Sequence, residues 1–251
     1  MSFEKKLQER EAIIWYLGHS GWAIQTRRHL LIFDYVEMGI KPAEPALTKG
    51  YINSSEIRDE NVFVFITHEH PDHYSRTILN WEKSVNNITY IFGWQEGAGT
   101  NHVYIEPGKR KKIGDMEVFA ITSTDAGVGF LVKTDGLVIF HGGDHADWGG
   151  STEAFKKEID YLAKIEREWD IVFLAVTSGL GQRRESITRG VFYAIEKFLP
   201  KVMFPMHTGG KEDIYKEFAG EAEKIKTEIH YAQKKGDSFL YQNERIKCQY
   251  E

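Results

Sequence analysis

The chain has 251 residues, a formal net charge of −5 at pH 7, 41% hydrophobic and 27% charged residues. These proportions are those of ordinary globular proteins and exclude a disordered chain, and the acidic balance argues against nucleic acid as a partner. The single cysteine, Cys248, excludes an intrachain disulfide and a thiolate-rich zinc site, and no apolar run approaches the roughly 18 residues of a membrane span.

The N-terminus, Met1 to Leu7, is charged and has no apolar signal core. With the cysteine usage, this predicts a cytoplasmic protein that meets a small-molecule substrate and no membrane. Gly21 to Thr26 and Leu30 to Phe33 read as a hairpin of two apolar strands around a polar turn. Residues 38–56 carry Pro42, Pro45, Gly50 and Ser54-Ser55, an irregular insertion of the kind that borders active sites. Val62 to Ile66 is a run of aromatic and β-branched residues, which reads as a buried strand. Directly after it comes Thr67-His68-Glu69-His70-Pro71-Asp72-His73. The spacing predicts a helix over Ser75 to Lys83. Gly93 to Gly99 lacks the Lys-Ser/Thr of a phosphate-binding loop and reads as a plain loop. Lys109 to Lys112 lies between Pro107-Gly108 and Ile113-Gly114 and reads as a solvated hairpin.

Gly129 to Thr134 and Leu137 to Phe140 form a second hairpin that resembles the first. Each hairpin is followed at a distance by another apolar strand, Val62 to Ile66 or Ile171 to Val176. This long internal repeat predicts a single domain over 1–251 built of two similar halves, about 13–125 and 126–240. Two such halves packed together form a sandwich of sheets with helices outside. Helices are expected over Ser151 to Glu168, Ile187 to Phe198 and Lys211 to Lys226. Arg183 and Arg184, after Gly179-Leu180-Gly181-Gln182, suit an anionic substrate or a plain surface equally well.

The His cluster carries the chemistry. Neutral imidazole and carboxylate are the ligands that zinc, iron and manganese accept. Alternate residues of an extended segment point the same way, so His68 and His70 face one metal. Pro71 disfavours helix at His70. Asp72 and His73 face elsewhere and suit a second metal. Packing does not account for the cluster, because burying these groups unpaired is costly.

His68-x-His70-x-Asp72-His73 after an apolar strand resembles the signature of the metallo-β-lactamase-fold hydrolases. Leu30 to Asp34 looks like their early strand ending in Asp. Ile139 to Asp144 looks like the strand whose terminal Asp bridges two metals, and Val202 to His207 like the late strand ending in a ligand His. Tyr16 to Trp22 and Lys235 to Phe239 are similar to the branch containing L-ascorbate-6-phosphate lactonase. The resemblance spans roughly residues 13–240. It implies an α/β fold, a four-layer αββα sandwich of two mixed sheets. It also implies two divalent ions, zinc or manganese, with iron open. His68 and His70 would hold the first, Asp72, His73 and His207 the second, and Asp144 would bridge. Asp34 would accept a hydrogen bond from a ligand histidine, with His19 and His141 as further supporting groups.

One departure from the family pattern matters. The loop Thr122 to Gly129 holds no His, where the superfamily usually supplies a ligand to the first metal. Asp125 or His145 takes that place, or the first site is weak or empty. The expected activity is hydrolysis of a lactone, ester or phosphodiester by a metal-bound hydroxide, with Asp72, Asp144 and His207 as its centre. The alternative is a degenerate metal-binding protein with a sensor or redox role. A homo-oligomer is left open.

Overall fold

Parallel strands with both faces covered need apolar residues on both sides, and the sequence supplies them. In the computed structural model, which describes residues 6–96, 99–177, 183–222 and 225–249, two mixed sheets result. The first sheet takes β1 (Ala12–Gly18), β2 (Gly21–Gln25), β3 (Leu30–Phe33), β4 (Asn61–Ile66), β5 (Asn87–Phe92) and β6 (His102–Tyr104). The second takes β7 (Arg110–Ile113), β8 (Met116–Thr122), β9 (Val128–Thr134), β10 (Leu137–His141), β11 (Ile171–Ala175), β12 (Val202–Met206) and β13 (Glu228–Ile229). The C-terminal hairpin β14 (Ser238–Gln242) and β15 (Arg245–Gln249) returns to the first sheet beside β1.

Both sheets follow one pattern. An antiparallel hairpin, β2–β3 or β9–β10, leads into strands that pair in parallel. The sheets do not divide at residue 125. β7 and β8 lie in the second sheet, and β14–β15 lie in the first.

Alternation sorts the strands' side chains. Leu31, Phe33, Phe63 and Phe65 face the core between the sheets. Leu30, Ile32, Val62, Val64 and Ile66 face a second cluster on the outer side of the first sheet. Trp22 is fully buried between the sheets, its ring centroid 4.9 Å from Phe173 and 5.1 Å from Phe204.

The outer layers differ from each other. The second sheet is covered by α1 (Thr152–Ile165) and α2 (Arg184–Phe198), whose buried residues recur at helical spacing: Phe155, Ile159 and Leu162, then Ile187, Val191, Ala194 and Phe198. α1 ends at Ile165, three residues before the expected Glu168. There the Glu166 carboxylate accepts from the Arg167 and Glu168 main-chain N–H groups and turns the chain. α2 ends at Phe198; Leu199 caps it in left-handed backbone at φ 48, and Pro200, which cannot continue a helix, follows. α3 (Asp213–Glu221) is shorter than the expected Lys211 to Lys226.

Over the first sheet, Arg76–Lys83 is a 3-10 helix where an ordinary helix is expected. That geometry eclipses residues i and i+3, and it sets Ile78 and Trp81 together against the outer cluster. The insertion is mostly irregular, with one 3-10 turn at Leu47–Lys49, and seats Leu47 and Ile52 on the same cluster, beside the flanking Tyr35 and Ile57. Arg110 to Lys112 fall on β7, exposed at the edge of its sheet, and Lys109 precedes it. Within Gly93 to Gly99, residues 97 and 98 lie outside the described residues, as do 179–182 before Arg183. Among the described residues, no helix is long and apolar enough to cross a membrane.

Asp170 ties the two sheets together. It is buried and accepts from Tyr241 Oη at 2.7 Å, Val138 N at 2.9 Å and Arg10 Nη2 at 2.9 Å. Asp170→Ala strands the Tyr241 hydroxyl and the Val138 N–H and should cost about 3 kcal/mol. A urea titration is expected to show a lower midpoint at unchanged slope.

Candidate metal centre

The site lies at the C-terminal ends of the central strands, where open α/β sheets place their ligands. Asp34 follows β3, His68 to His73 follow β4, Asp144 follows β10 and His207 follows β12. Asp125 comes from the β8–β9 loop and His19 from the β1–β2 turn. His19, Asp34 and His207 have left-handed φ of 52°, 41° and 76°. Such backbone is costly for these residue types and gathers at functional sites.

Eight of these residues form two groups of donor atoms, each group within 4.8 Å: His68, His70, Asp125 and Asp144, and His19, Asp72, His73 and His207. Asp144 joins them. Its Oδ2 lies 3.5 Å from His68 Nε2, while its Oδ1 lies 3.1 Å from His73 Nε2 and 3.3 Å from His207 Nε2. His70 Nδ1 and Asp125 Oδ2 are 3.8 Å apart, and both side chains are half-exposed. His19 Nε2, His68 Nε2, His73 Nε2 and Asp144 Oδ1 are buried and make no hydrogen bond of good geometry among the described residues. Burying such atoms without a partner is costly. A divalent cation between them supplies the missing partner, so the donor set fits one.

Partners with fixed roles decide which imidazole nitrogen offers a lone pair. The Thr177 carbonyl can only accept, so His207 Nδ1 at 2.8 Å donates and Nε2 is the free atom. The Asp34 carboxylate likewise takes the His73 Nδ1 proton at 2.8 Å. His19 is set the other way. Gly209 N donates to its Nδ1 at 3.0 Å, which leaves the proton of the neutral ring on Nε2, 3.3 Å from Asp72 Oδ2. His19 thus stands among the donor atoms but is arranged to hold Asp72. His141 donates from Nε2 to the Ser20 carbonyl at 2.8 Å and stacks on Phe33. His145 is buried against Phe155 of α1, ring centroids 4.8 Å apart, and belongs to neither group. Asp125, and not His145, therefore lies in one donor group with His68, His70 and Asp144.

The chain matches the beta-lactamase superfamily domain over residues 13–207. The chain belongs to the metallo-β-lactamase superfamily. It is 24% identical to a UPF0173 metal-dependent hydrolase of Pyrococcus furiosus, over 84% of this chain and 93% of that one. It is also 24% identical to a UPF0173 metal-dependent hydrolase of Caldivirga maquilingensis, over 76% and 80%. Among solved structures, a metallo hydrolase from Ignicoccus hospitalis shares the fold at a TM-score of 0.66 and 14% identity, covering 92% of this chain and 99% of that one. The diiron β-hydroxylase CmlA from Streptomyces venezuelae shares it at 0.65 and 11%, covering 92% and 54%.

Electrostatics in this metallo-β-lactamase-fold site follow from burial and pairing. Burial pushes the Asp34 carboxyl up, but the charge and hydrogen bond of His73 more than reverse it. Burial likewise raises Asp144, and the close approach of His207 and His73 holds it well below the usual range. The His19 hydrogen bond draws Asp72 far down. All three stay ionised at neutral pH. Burial, aided by the His73 charge, lowers His68 to about 4, so it is neutral and ready to ligate. For His73, burial acts downward, but Asp34 and Asp144 raise it to about 10.

Sequence reading missed several groups. Thr67 hydrogen-bonds both Asp34 and His68. Trp148, anchored by Nε1 to the Asp144 carbonyl, stands beside His207 at 5.8 Å between ring centroids. Neither has a signal beyond its proximity to a ligand in the chain. Arg184 is occupied by Glu217 and Glu221 of α3, each at 2.8 Å.

Two outcomes are expected. In the metal-free protein His73 is protonated below about 10, and a metal must displace the Nε2 proton. Metal uptake should therefore release protons and strengthen as pH rises toward that value. Calorimetry of metal binding in two buffers of different ionisation enthalpy checks this. Separately, Gly127 has φ 62, and a Cβ there would lie 2.0 Å from the Thr67 carbonyl oxygen. Gly127→Ala should displace the Asp125 loop and remove at least one bound metal per chain, as read by elemental analysis of the folded variant.

Proposed function

We propose that the protein is a metal-dependent hydrolase that holds two divalent cations at the ends of its central strands. The observation that carries this is the division of the Asp144 carboxylate between two groups of His and Asp donors, with unpartnered buried nitrogens facing it. The first ion would lie among His68, His70, Asp125 and Asp144. The second would lie among Asp72, His73, His207 and Asp144. Bound there, the pair supplies a water nucleophile at neutral pH and stabilises the oxyanion that forms.

The chain's own residues do the rest. Asp34 and the Thr177 carbonyl orient His73 and His207, and His19 fixes Asp72. His70 and Asp125, half-exposed, form the side open to a substrate. Family membership and the UPF0173 relatives, named metal-dependent hydrolases, support the reaction class. The likeness of the Gly18-His19-Ser20-Gly21 and Lys235-Gly236-Asp237 segments to the ascorbate-6-phosphate lactonase branch favours a small lactone or ester, ahead of a phosphodiester, as substrate.

Asp125 makes the first group richer in carboxylate than an all-imidazole site, which favours Mn²⁺ or Fe²⁺ relative to zinc. The same observation supports a second reading, a redox role with iron; the diiron β-hydroxylase that shares the fold is consistent with it.

The test is a panel of lactones, carboxylic esters and phosphodiesters assayed with protein stripped by chelator and reloaded with Zn²⁺, Mn²⁺ or Fe²⁺. Hydrolysis that appears only on reloading supports the proposal. Oxygen consumption by the iron form without hydrolysis supports the second reading. Asp125→His should move the preferred metal toward zinc. Asp144→Ala should lower kcat/KM by about 10³-fold or more, since it serves both ions, a size typical of losing a main electrostatic element of a catalytic site.

A further inference from the structure

Thr67 is fully buried between the end of β4 and His68. Its hydroxyl has a single proton and two polar neighbours. Asp34 Oδ2 lies at 2.7 Å and His68 Nδ1 at 2.9 Å. A carboxylate is the stronger acceptor, and the shorter contact agrees, so the hydroxyl donates to Asp34. Only lone pairs then remain toward His68, and its Nδ1 must be the donor. The Thr67 main-chain N–H donates to Asp34 Oδ1 at 2.8 Å, and His73 Nδ1 donates to Asp34 Oδ2 at 2.8 Å. One path of hydrogen bonds therefore runs from His68 through Thr67 and Asp34 to His73, from the first donor group to the second.

Three other segments hold Thr67 in place. A Cβ on Gly143 would lie 2.9 Å from Thr67 Cβ, Cγ2 and Oγ1. A Cβ on Gly93 would lie 2.2 Å from its carbonyl oxygen, and one on Gly127 at 2.0 Å. Val128 N donates to that same oxygen at 3.1 Å. The rotamer and main chain of Thr67 are thus fixed by β5's end, the Asp125 loop and the turn before Asp144.

We infer that Thr67 is the positioning residue of the first metal position, holding the His68 proton on Nδ1 so that Nε2 is the ligating atom, and linking that position to the second through Asp34. The inference rests on the reading of His68 as a metal ligand. Thr67 touches neither metal nor substrate; it acts through the two residues it bonds. Thr67→Val keeps the shape, removes the acceptor for His68 and takes one donor from Asp34. Thr67→Ser keeps the hydroxyl.

The test has two arms. Long-range ¹H–¹⁵N correlation spectra of the metal-free wild type report the His68 tautomer without any variant. The Nδ1–H form is expected there and in Thr67→Ser, and a shift toward Nε2–H in Thr67→Val. Titration with Zn²⁺, with metal content read at each step, should then show the weaker ion of Thr67→Val bound about 10- to 100-fold less tightly, the usual effect of losing a group that orients a ligand. The other ion should stay within about threefold of wild type, and Thr67→Ser should match wild type. An Nε2–H tautomer in the wild type, or two unchanged affinities in Thr67→Val, would overturn the inference. A wild type that binds no Zn²⁺ would instead count against the metal reading, while the tautomer spectrum still decides the role of Thr67.

Discussion

A carboxylate fully buried at the end of a central strand must find donors, and Asp34 finds three: the Thr67 N–H, the Thr67 hydroxyl and His73 Nδ1. Most of the site depends on this one requirement. An unpaired charge there would be strongly destabilising. Satisfying it fixes the start of the loop after β4, selects the proton positions on His68 and His73, and turns their Nε2 atoms toward Asp144. The left-handed φ of Asp34 is the local cost of that arrangement.

The fold brings the other half of the site to meet it. Both sheets feed an antiparallel hairpin into parallel strands, so loops from each sheet leave at one end of the sandwich. Asp144 arrives from β10 and His207 from β12, opposite the residues after β3 and β4. The sandwich that places them is held by rings between the sheets, with Trp22 against Phe173, Phe204 and Phe239. It is also held by the Asp170 tie between β14 and β10–β11. Rigid strand ends suit a metal site, whose ligands tolerate little displacement.

The two donor groups are unlike. The second is histidine-rich and mostly buried, and each of its histidines is oriented by a carbonyl, a carboxylate or a main-chain N–H. With Asp144 shared, each group has two carboxylates, but His70 and Asp125 of the first are half-exposed. Desolvation strengthens electrostatic interactions in the buried group, whereas solvent screens the open one. The proposed division of labour follows: a tightly held second ion and a first ion whose identity and occupancy respond to the Asp125 carboxylate.

Sequence alone determined the central strands β2, β3, β4, β9, β10, β11 and β12 and the polar segments that end them. Val62 to Ile66 reads as a doubly buried strand because its apolar run is continuous, and His68-x-His70-x-Asp72-His73 reads as a metal motif because its spacing is local. Local pattern could not say which groups the long-range path would join. Thr67 is one threonine among several until Asp34, 33 residues away, takes its proton. His19 looks like a turn residue until Gly209, 190 residues on, donates to its Nδ1 and leaves Nε2 facing Asp72. His145 stays a second candidate beside Asp125 until Phe155 claims its ring and the β8–β9 loop presents the Asp125 carboxylate. The segment expected as a helix over Ser75 to Lys83 is a 3-10 helix, with Ile78 and Trp81 on one apolar cluster. For Thr67 and His19 the deciding partner is distant in the chain. Hydrogen-bond direction and side-chain facing are set by contacts that only the folded sandwich brings within reach.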